Sequence, residues 1–111
     1  MSENDVLLVM TNLPDRDAAE RIAASLVTEG GAACVNVLAE CTSFYHWKGN
    51  LERSTEVPLL IKTTTAAYPR LQEALRKLHP YEIPEIIALP VNVGLPEYLN
   101  WVVQETQIRK P

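Results

Sequence analysis

The pattern of the chain predicts an α+β fold: a ferredoxin-like βαββαβ sandwich with a long central β-hairpin and an extra C-terminal helix. Three observations carry this. Ala19, Ile22, Ala23 and Leu26, and again Tyr68, Leu71, Leu75 and Leu78, recur at helical spacing. Each of these segments lies between runs of strand-forming residues. Between them, Lys48-Gly49-Asn50 separates two long stretches that have no helical period, which is a hairpin signal.

The elements follow in order. Val6-Leu7-Leu8-Val9-Met10-Thr11 is a continuous, branched apolar run and reads as a strand buried on both faces. Asn12-Leu13-Pro14-Asp15 interrupts it and offers oxygens that can cap a helix. That helix runs until Gly30-Gly31, where glycine can take the left-handed conformation that ends it. Ala32 to Trp47 reads as one long strand, and Leu51 to Lys62 as its returning partner. Pro58 in the returning strand requires an edge position or a bulge, because it lacks an N–H. Thr65 is positioned to cap the second helix, whose first turn tolerates Pro69 and which Pro80 must end. Glu85 to Val91 reads as the last strand. Pro96 opens a final helix marked by Leu95, Tyr98, Leu99 and Val102, and Gln107 to Pro111 is expected to be loose. The resulting order contains the split βαβ arrangement, and right-handed crossovers place both long helices on one face of the sheet.

One length does not fit an isolated domain. A straight strand from Ala32 to Trp47 spans about 53 Å, whereas a compact chain of this size has a diameter of roughly 35 Å. The hairpin must therefore bend or project. A projecting hairpin exposes Phe44, Tyr45 and Trp47 together with unpaired backbone groups that another subunit can cover. Homo-oligomerisation follows, with those three residues at the interface. The competing reading is a bulge around Glu40-Cys41 that folds the hairpin back onto its own sheet.

Composition narrows the partners. The 111 residues form a single domain, 1–111, and the formal net charge of −4 provides no basic stripe for nucleic acid or for an anionic membrane. No apolar run reaches the ~20 residues of a membrane span. The opening Met1-Ser2-Glu3-Asn4-Asp5 lacks a basic signal-peptide region, so the expected location is cytoplasmic. Cys34 and Cys41 lie about 23 Å apart along the predicted strand, too far for a disulfide, and are expected to be free thiols.

The densest chemistry lies in His79-Pro80-Tyr81-Glu82-Ile83-Pro84-Glu85. Here three prolines, counting Pro90 beyond, hold the polar side chains in a narrow set of directions. His79, Glu82 and Glu85 can supply one imidazole and carboxylates to a divalent metal such as copper or zinc. No His-x-x-x-His or Cys-x-x-Cys pair supports a tight single-chain site, so the metal is expected to bind weakly and no cofactor is required. His79 can equally serve only to complement a helix C-terminus. Lys62, Tyr81 and Glu56 are the candidates for an organic-ligand pocket, since a cation site does not recruit a lysine. Neither a strained Ser nucleophile nor a Gly-rich phosphate loop is present. Catalysis is not expected, and the enzymatic alternative is an acid or base role for Glu56 or His79.

Taken together, Ala33-Cys34-Val35-Asn36-Val37, Ser43-Phe44-Tyr45-His46-Trp47-Lys48-Gly49, Glu56 with Leu60-Ile61-Lys62-Thr63, and the His79 to Glu85 segment resemble the CutA divalent-cation tolerance family. The resemblance implies a trimer built by intersubunit sheet pairing, tolerance to copper and other divalent cations, and likeness to PII-type trimers that bind small molecules between subunits. The partners to expect are thus further copies of the chain and a divalent cation or small molecule. This chain departs from some members at Met10 and Leu78, where they carry cysteine and a second histidine invoked as metal ligands. It also has Ala39-Glu40 where many members have Pro-Gly.

Overall fold

The computed structural model describes residues 2–108; of the tail expected to be loose, 109–111 lie outside the described residues. The elements are β1 (Val6–Leu13), α1 (Arg16–Thr28), β2 (Cys34–Val37), β3 (Cys41–Trp47), β4 (Asn50–Thr64), α2 (Tyr68–Leu78), β5 (Ile87–Pro90) and α3 (Pro96–Glu105). One antiparallel sheet runs β2-β4-β1-β5, with β3 continuing along β4 beyond β2. The α+β class, the antiparallel sheet and the three helices match the sequence reading.

Local chemistry explains the helix ends. The Asp15 carboxylate accepts the Ala18 N–H at 2.8 Å and so caps α1. At the other end Gly30, with φ +79°, donates to the Val27 carbonyl, and Gly31 donates to that of Leu26. This pair of bonds is a Schellman stop, and only glycine takes that φ without strain. The hairpin turn is equally specific, because Lys48 and Gly49 both have positive φ, as a two-residue turn matched to the strand twist requires. The second helix corrects an expectation. Thr65 does not cap it; Thr64 Oγ1 accepts the Ala67 N–H at 3.2 Å, while Thr65 bonds back to Asp5. Leu78 is exposed and not part of the buried stripe, which consists of Leu71 and Leu75.

Side-chain alternation along β1 and β4 divides the sheet into two faces. Val9, Leu13, Val57, Leu59 and Ile61 pack against α1 and α2 in the main core. Each fully buried Leu or Ile there contributes about 1.5–3 kcal/mol of transfer free energy. Residues of the opposite phase, among them Leu8, Met10, Leu60 and Lys62, are only partly covered. Val102 of α3 closes one end, packing with Val6 and Ala33. No buried side-chain polar atom among the described residues lacks a partner.

The predicted strand Ala32–Trp47 is two strands. Val37 pairs with Leu59 but Cys41 pairs with Glu56, so one residue more lies on the β2–β3 side than on β4: a bulge over Leu38–Glu40. Pro58 is its cause. The Leu38 N–H donates to the Pro58 carbonyl at 3.0 Å, so the position where Pro58 lacks an N–H faces the same neighbour, and the ladder cannot continue regularly there. Pro58 is tolerated in a central strand for that reason. The bulge bends the hairpin without folding it back, and the chain measures 45 × 31 × 23 Å, longer than a compact sphere of its size. Phe44 and Leu51 are 64% and 69% exposed.

Candidate functional site

Pro80 stops α2 and forces His79 into an extended conformation, φ −73° and ψ 131°. The His79 ring thereby turns onto the end of β1. Its Nδ1 lies 3.2 Å from the Tyr81 backbone N–H, which can only donate, so Nδ1 accepts and the ring proton resides on Nε2. Nε2 in turn donates to the Asn12 carbonyl at 2.8 Å, with Thr11 Oγ1 at 3.2 Å. Both nitrogens are thus used within the protein. His79 is 7% exposed, and burial holds its pKa below the ordinary imidazole value, against the raising effects of the Asn12 hydrogen bond and the Glu56 charge.

The bond from Tyr81 to His79 sets the direction of the Tyr81 side chain. Its ring centroid lies 4.8 Å from that of His79, and its hydroxyl donates to Glu56 Oε2 at 2.8 Å. Burial, the hydrogen bond and the Glu56 charge all raise the Tyr81 pKa, so the phenol stays protonated. Glu56 occupies the first buried position of β4 beyond the hairpin and is itself 7% exposed. Among the described residues it has no ion-pair partner, and its second carboxylate oxygen, Oε1, accepts no hydrogen bond.

These groups form one wall of an open cleft of about 690 Å³ between the hairpin and the proline-framed segment. Ser43, Tyr45 and Trp47 line the hairpin side, and Tyr81, Glu82 and Glu85 the other. Asn12 Nδ2 donates to Glu85 Oε1 at 3.4 Å at the rim. Among the described residues no lysine or arginine lines this cleft.

The structure therefore assembles part of what the sequence proposed and separates the rest. Glu56 and Tyr81 are in direct contact. Lys62 is not with them: six residues farther along β4, it stands about 20 Å away, hydrogen-bonded to Asn36 on the partly covered sheet face. His79, Glu82 and Glu85 do not form a ligand set, because the imidazole is buried with no lone pair to give while Glu82 is exposed. Among the described residues no group of three or more His, Cys, Asp or Glu side chains could hold one metal ion. Phe44, Tyr45 and Trp47 are all on the exposed hairpin, as expected. Cys34 and Cys41 are free thiols.

Thr11 and Asn12 were missed as site residues. Asn12 read as punctuation before Pro14, and its carbonyl's role depends on the fold alone. The one available signal was its position at the end of an apolar strand, where a β-strand commonly delivers polar groups to a site.

Residues 7–105 match the family model described as CutA1 divalent ion tolerance protein. The divalent-cation tolerance protein CutA of Thermus thermophilus is 46% identical over 99 residues, covering 89% of this chain and 96% of the relative. Protein CutA of Mus musculus is 47% identical over 94 residues, and there the chain spans only 53% of the relative's length. The crystal structure of CutA from Xylella fastidiosa superposes with a TM-score of 0.90 at 45% identity, covering 93% of this chain and 99% of that one. With a match across nearly the whole of the sheet and all three helices, the chain belongs to the CutA1 divalent ion tolerance family.

Proposed function

We propose that this chain serves divalent-cation tolerance as a cytoplasmic, ferredoxin-like homotrimer of the PII-like kind, acting through assembly and weak ligand uptake, without catalysis. The observation that supports it best is β3. Among the described residues its seven residues pair only with β4, so its outer edge offers N–H and C=O groups to a further strand beside Phe44, Tyr45 and Trp47. A long edge with exposed apolar residues is a template for another chain. Ile87 and Leu89 on β5, at the opposite edge of the sheet, are each 49% exposed and provide the matching apolar surface.

Weak metal uptake in this reading rests on the carboxylates of Glu82 and Glu85 at the rim and not on the His79 imidazole. Calorimetric titration with copper(II) or zinc tests it. Metal binding that survives His79→Ala and is lost in the Glu82→Gln, Glu85→Gln double variant is the expected result; loss in His79→Ala with the fold intact would restore the imidazole as a ligand. The absence of catalysis is supported by the same geometry, since both His79 nitrogens are occupied and Tyr81 is held protonated.

The volume of the cleft favours a second reading, a regulator that takes a small organic ligand. At about 690 Å³ it falls within the range of small-molecule sites. A thermal-shift panel of metals, nucleotides and organic ions separates the two, because a ligand that binds only the folded state raises the unfolding midpoint.

A further inference from the structure

We propose that α3 is a strap, hinged at 91–95 and latched at Thr106, that opens and closes as a unit over one end of the sheet and is held shut when a further copy of the chain covers β5. The inference rests on the reading of the protein as a homotrimer and adds a moving part to it.

Packing holds α3 only lightly. Among the described residues the buried main core contains none from α3, and Val102 is the one buried side chain of the helix. It sits in a small separate cluster with Val6 and Ala33, against which Val91 and Leu99 also pack. Tyr98 and Trp101 are each 40% exposed. The helix has no side-chain cap at Leu95 and no basic residue in its last turn. Its ten residues are too few to stay helical alone in water. An element with so little buried surface opens before the rest of a fold does.

What closes α3 is polar and lies at its end. The buried Thr106 hydroxyl donates to the Val102 carbonyl at 2.9 Å. Its proton is thereby spent, so in the 3.3 Å contact between Thr106 Oγ1 and Thr64 Oγ1 the Thr64 hydroxyl is the donor. Thr64 Oγ1 also accepts the Ala67 N–H and so caps α2. Arg70, in the first turn of α2, donates to the Thr106 carbonyl at 2.8 Å and to the Gly30 carbonyl at 3.4 Å, joining the ends of α3 and α1. Midway along α3, Tyr98 is hydrogen-bonded to Cys34 on β2. The hinge lies at the other end. Val91 is tied to β1, its N–H donating to the Val6 carbonyl at 2.9 Å, whereas Val93 and Leu95 are 90% and 65% exposed. Gly94 lies so near Leu99 that a Cβ there would stand 3.0 Å from the Leu99 side chain, so a displaced hinge moves α3. Because β5 is an edge of the sheet and leads directly into this hinge, a copy covering β5 confines the hinge as well.

Amide hydrogen exchange followed by mass spectrometry on the whole protein, with light scattering on the same samples, tests the proposal. In the wild type, α3 is expected to exchange faster than β1 and the inner half of β4. Thr106→Val keeps the shape but deletes the hydroxyl, and is expected to speed exchange in α3 about tenfold, the worth of a buried hydrogen bond, with β1 and α1 unchanged. Thr106→Ser retains the hydroxyl and should return α3 toward the wild-type rate. Should Thr106→Val fail to fold by circular dichroism, Arg70→Met, which cuts the bonds to the Thr106 and Gly30 carbonyls, is expected to speed α3 in the same way. The double variant Trp47→Asp, Leu51→Ser, altered only on the hairpin, should speed α3 once its copies have separated. Exchange of α3 in step with β1 overturns the proposal, as does equal acceleration of every element by Thr106→Val. Separated copies with α3 unchanged would overturn the strap's link to assembly and leave the trimer standing. A wild type that is a single chain at every concentration would overturn both.

Discussion

Strand β4 passes through two environments, and the contrast between them divides the molecule's labour. From Val57 onward it pairs with β1, and over Leu59 to Lys62 also with β2, and Val57, Leu59, Ile61 and Thr63 are at most 2% exposed. Before Glu56 it pairs with β3 alone and projects, with Leu51 69% exposed. The inner half supplies the fold. The outer half presents edges, aromatic rings and one wall of the cleft, and contributes little to the core. Glu56 stands at the junction, buried like the inner half and facing the cleft like the outer.

The largest effect that sharpens this contrast is expected from a core truncation. Ile61→Ala removes a fully buried side chain and should cost about 2–5 kcal/mol in urea unfolding at every protein concentration. Leu51→Ser should instead weaken assembly, lowering the midpoint most at dilute protein, because the stability of an oligomer depends on concentration. Equal and concentration-independent losses would show that the hairpin belongs to the core of a single chain.

Next in size is His79. Replacing it with alanine leaves the Asn12 carbonyl and the Tyr81 N–H without partners and should cost about 1–3 kcal/mol. The pH dependence carries a definite sign. Burial, the main influence, lowers the folded-state pKa below the ordinary value of 6.5, so the unfolded chain binds the proton more tightly. The stabilisation is complete above about pH 6.5 and is lost as pH falls below that value toward the folded pKa. Urea midpoints measured from pH 7 to pH 5 should decline in the wild type and decline less in His79→Gln. An equal slope in both would mean that the imidazole is not the group responsible.

Tyr81→Phe deletes one hydrogen bond to a carboxylate and should cost about 1.5 kcal/mol, with the ring still in place. The smallest effect is expected at Lys62. Lys62→Met, altered on the partly covered sheet face, should change stability by no more than about 0.5 kcal/mol and leave ligand binding in the cleft untouched. A clear loss of binding there would bring Lys62 back to the site by way of a neighbouring subunit.

These contrasts show which parts of the architecture could be read in advance. Helix faces, the Gly30-Gly31 stop and the Lys48-Gly49 turn are local, and each follows from spacing or from φ requirements of its own residues. The break in Ala32–Trp47 is not local. Its cause, Pro58, lies on the returning strand, and its position depends on the pairing register that sets Pro58 opposite Leu38 and Asn12. The bulge also reverses the phase of alternation, so that Cys41, Ser43 and Tyr45 share the face of Asn36 and Cys34, whose numbers have the other parity.

The same limitation applied to the site. The character of its charge alone groups Lys62 with Glu56 and Tyr81, and charge carries no information about distance along β4. The proline frame draws attention to His79 to Glu85, and Tyr81, Glu82 and Glu85 of that segment do line the cleft. That His79 would spend both nitrogens on Asn12 and Tyr81 depended on how far the ring reaches toward β1, which only the packing of α2 against the sheet determines.

The central claim is that the projecting half of β4 and its partner β3 exist to be covered by further copies of the chain. Multi-angle light scattering on the purified protein at micromolar concentration tests it most directly. The account predicts a mass of three chains of 12.4 kDa each, reduced toward one chain in Leu51→Ser and Trp47→Asp. A wild-type protein that elutes as a stable, folded single chain would contradict it.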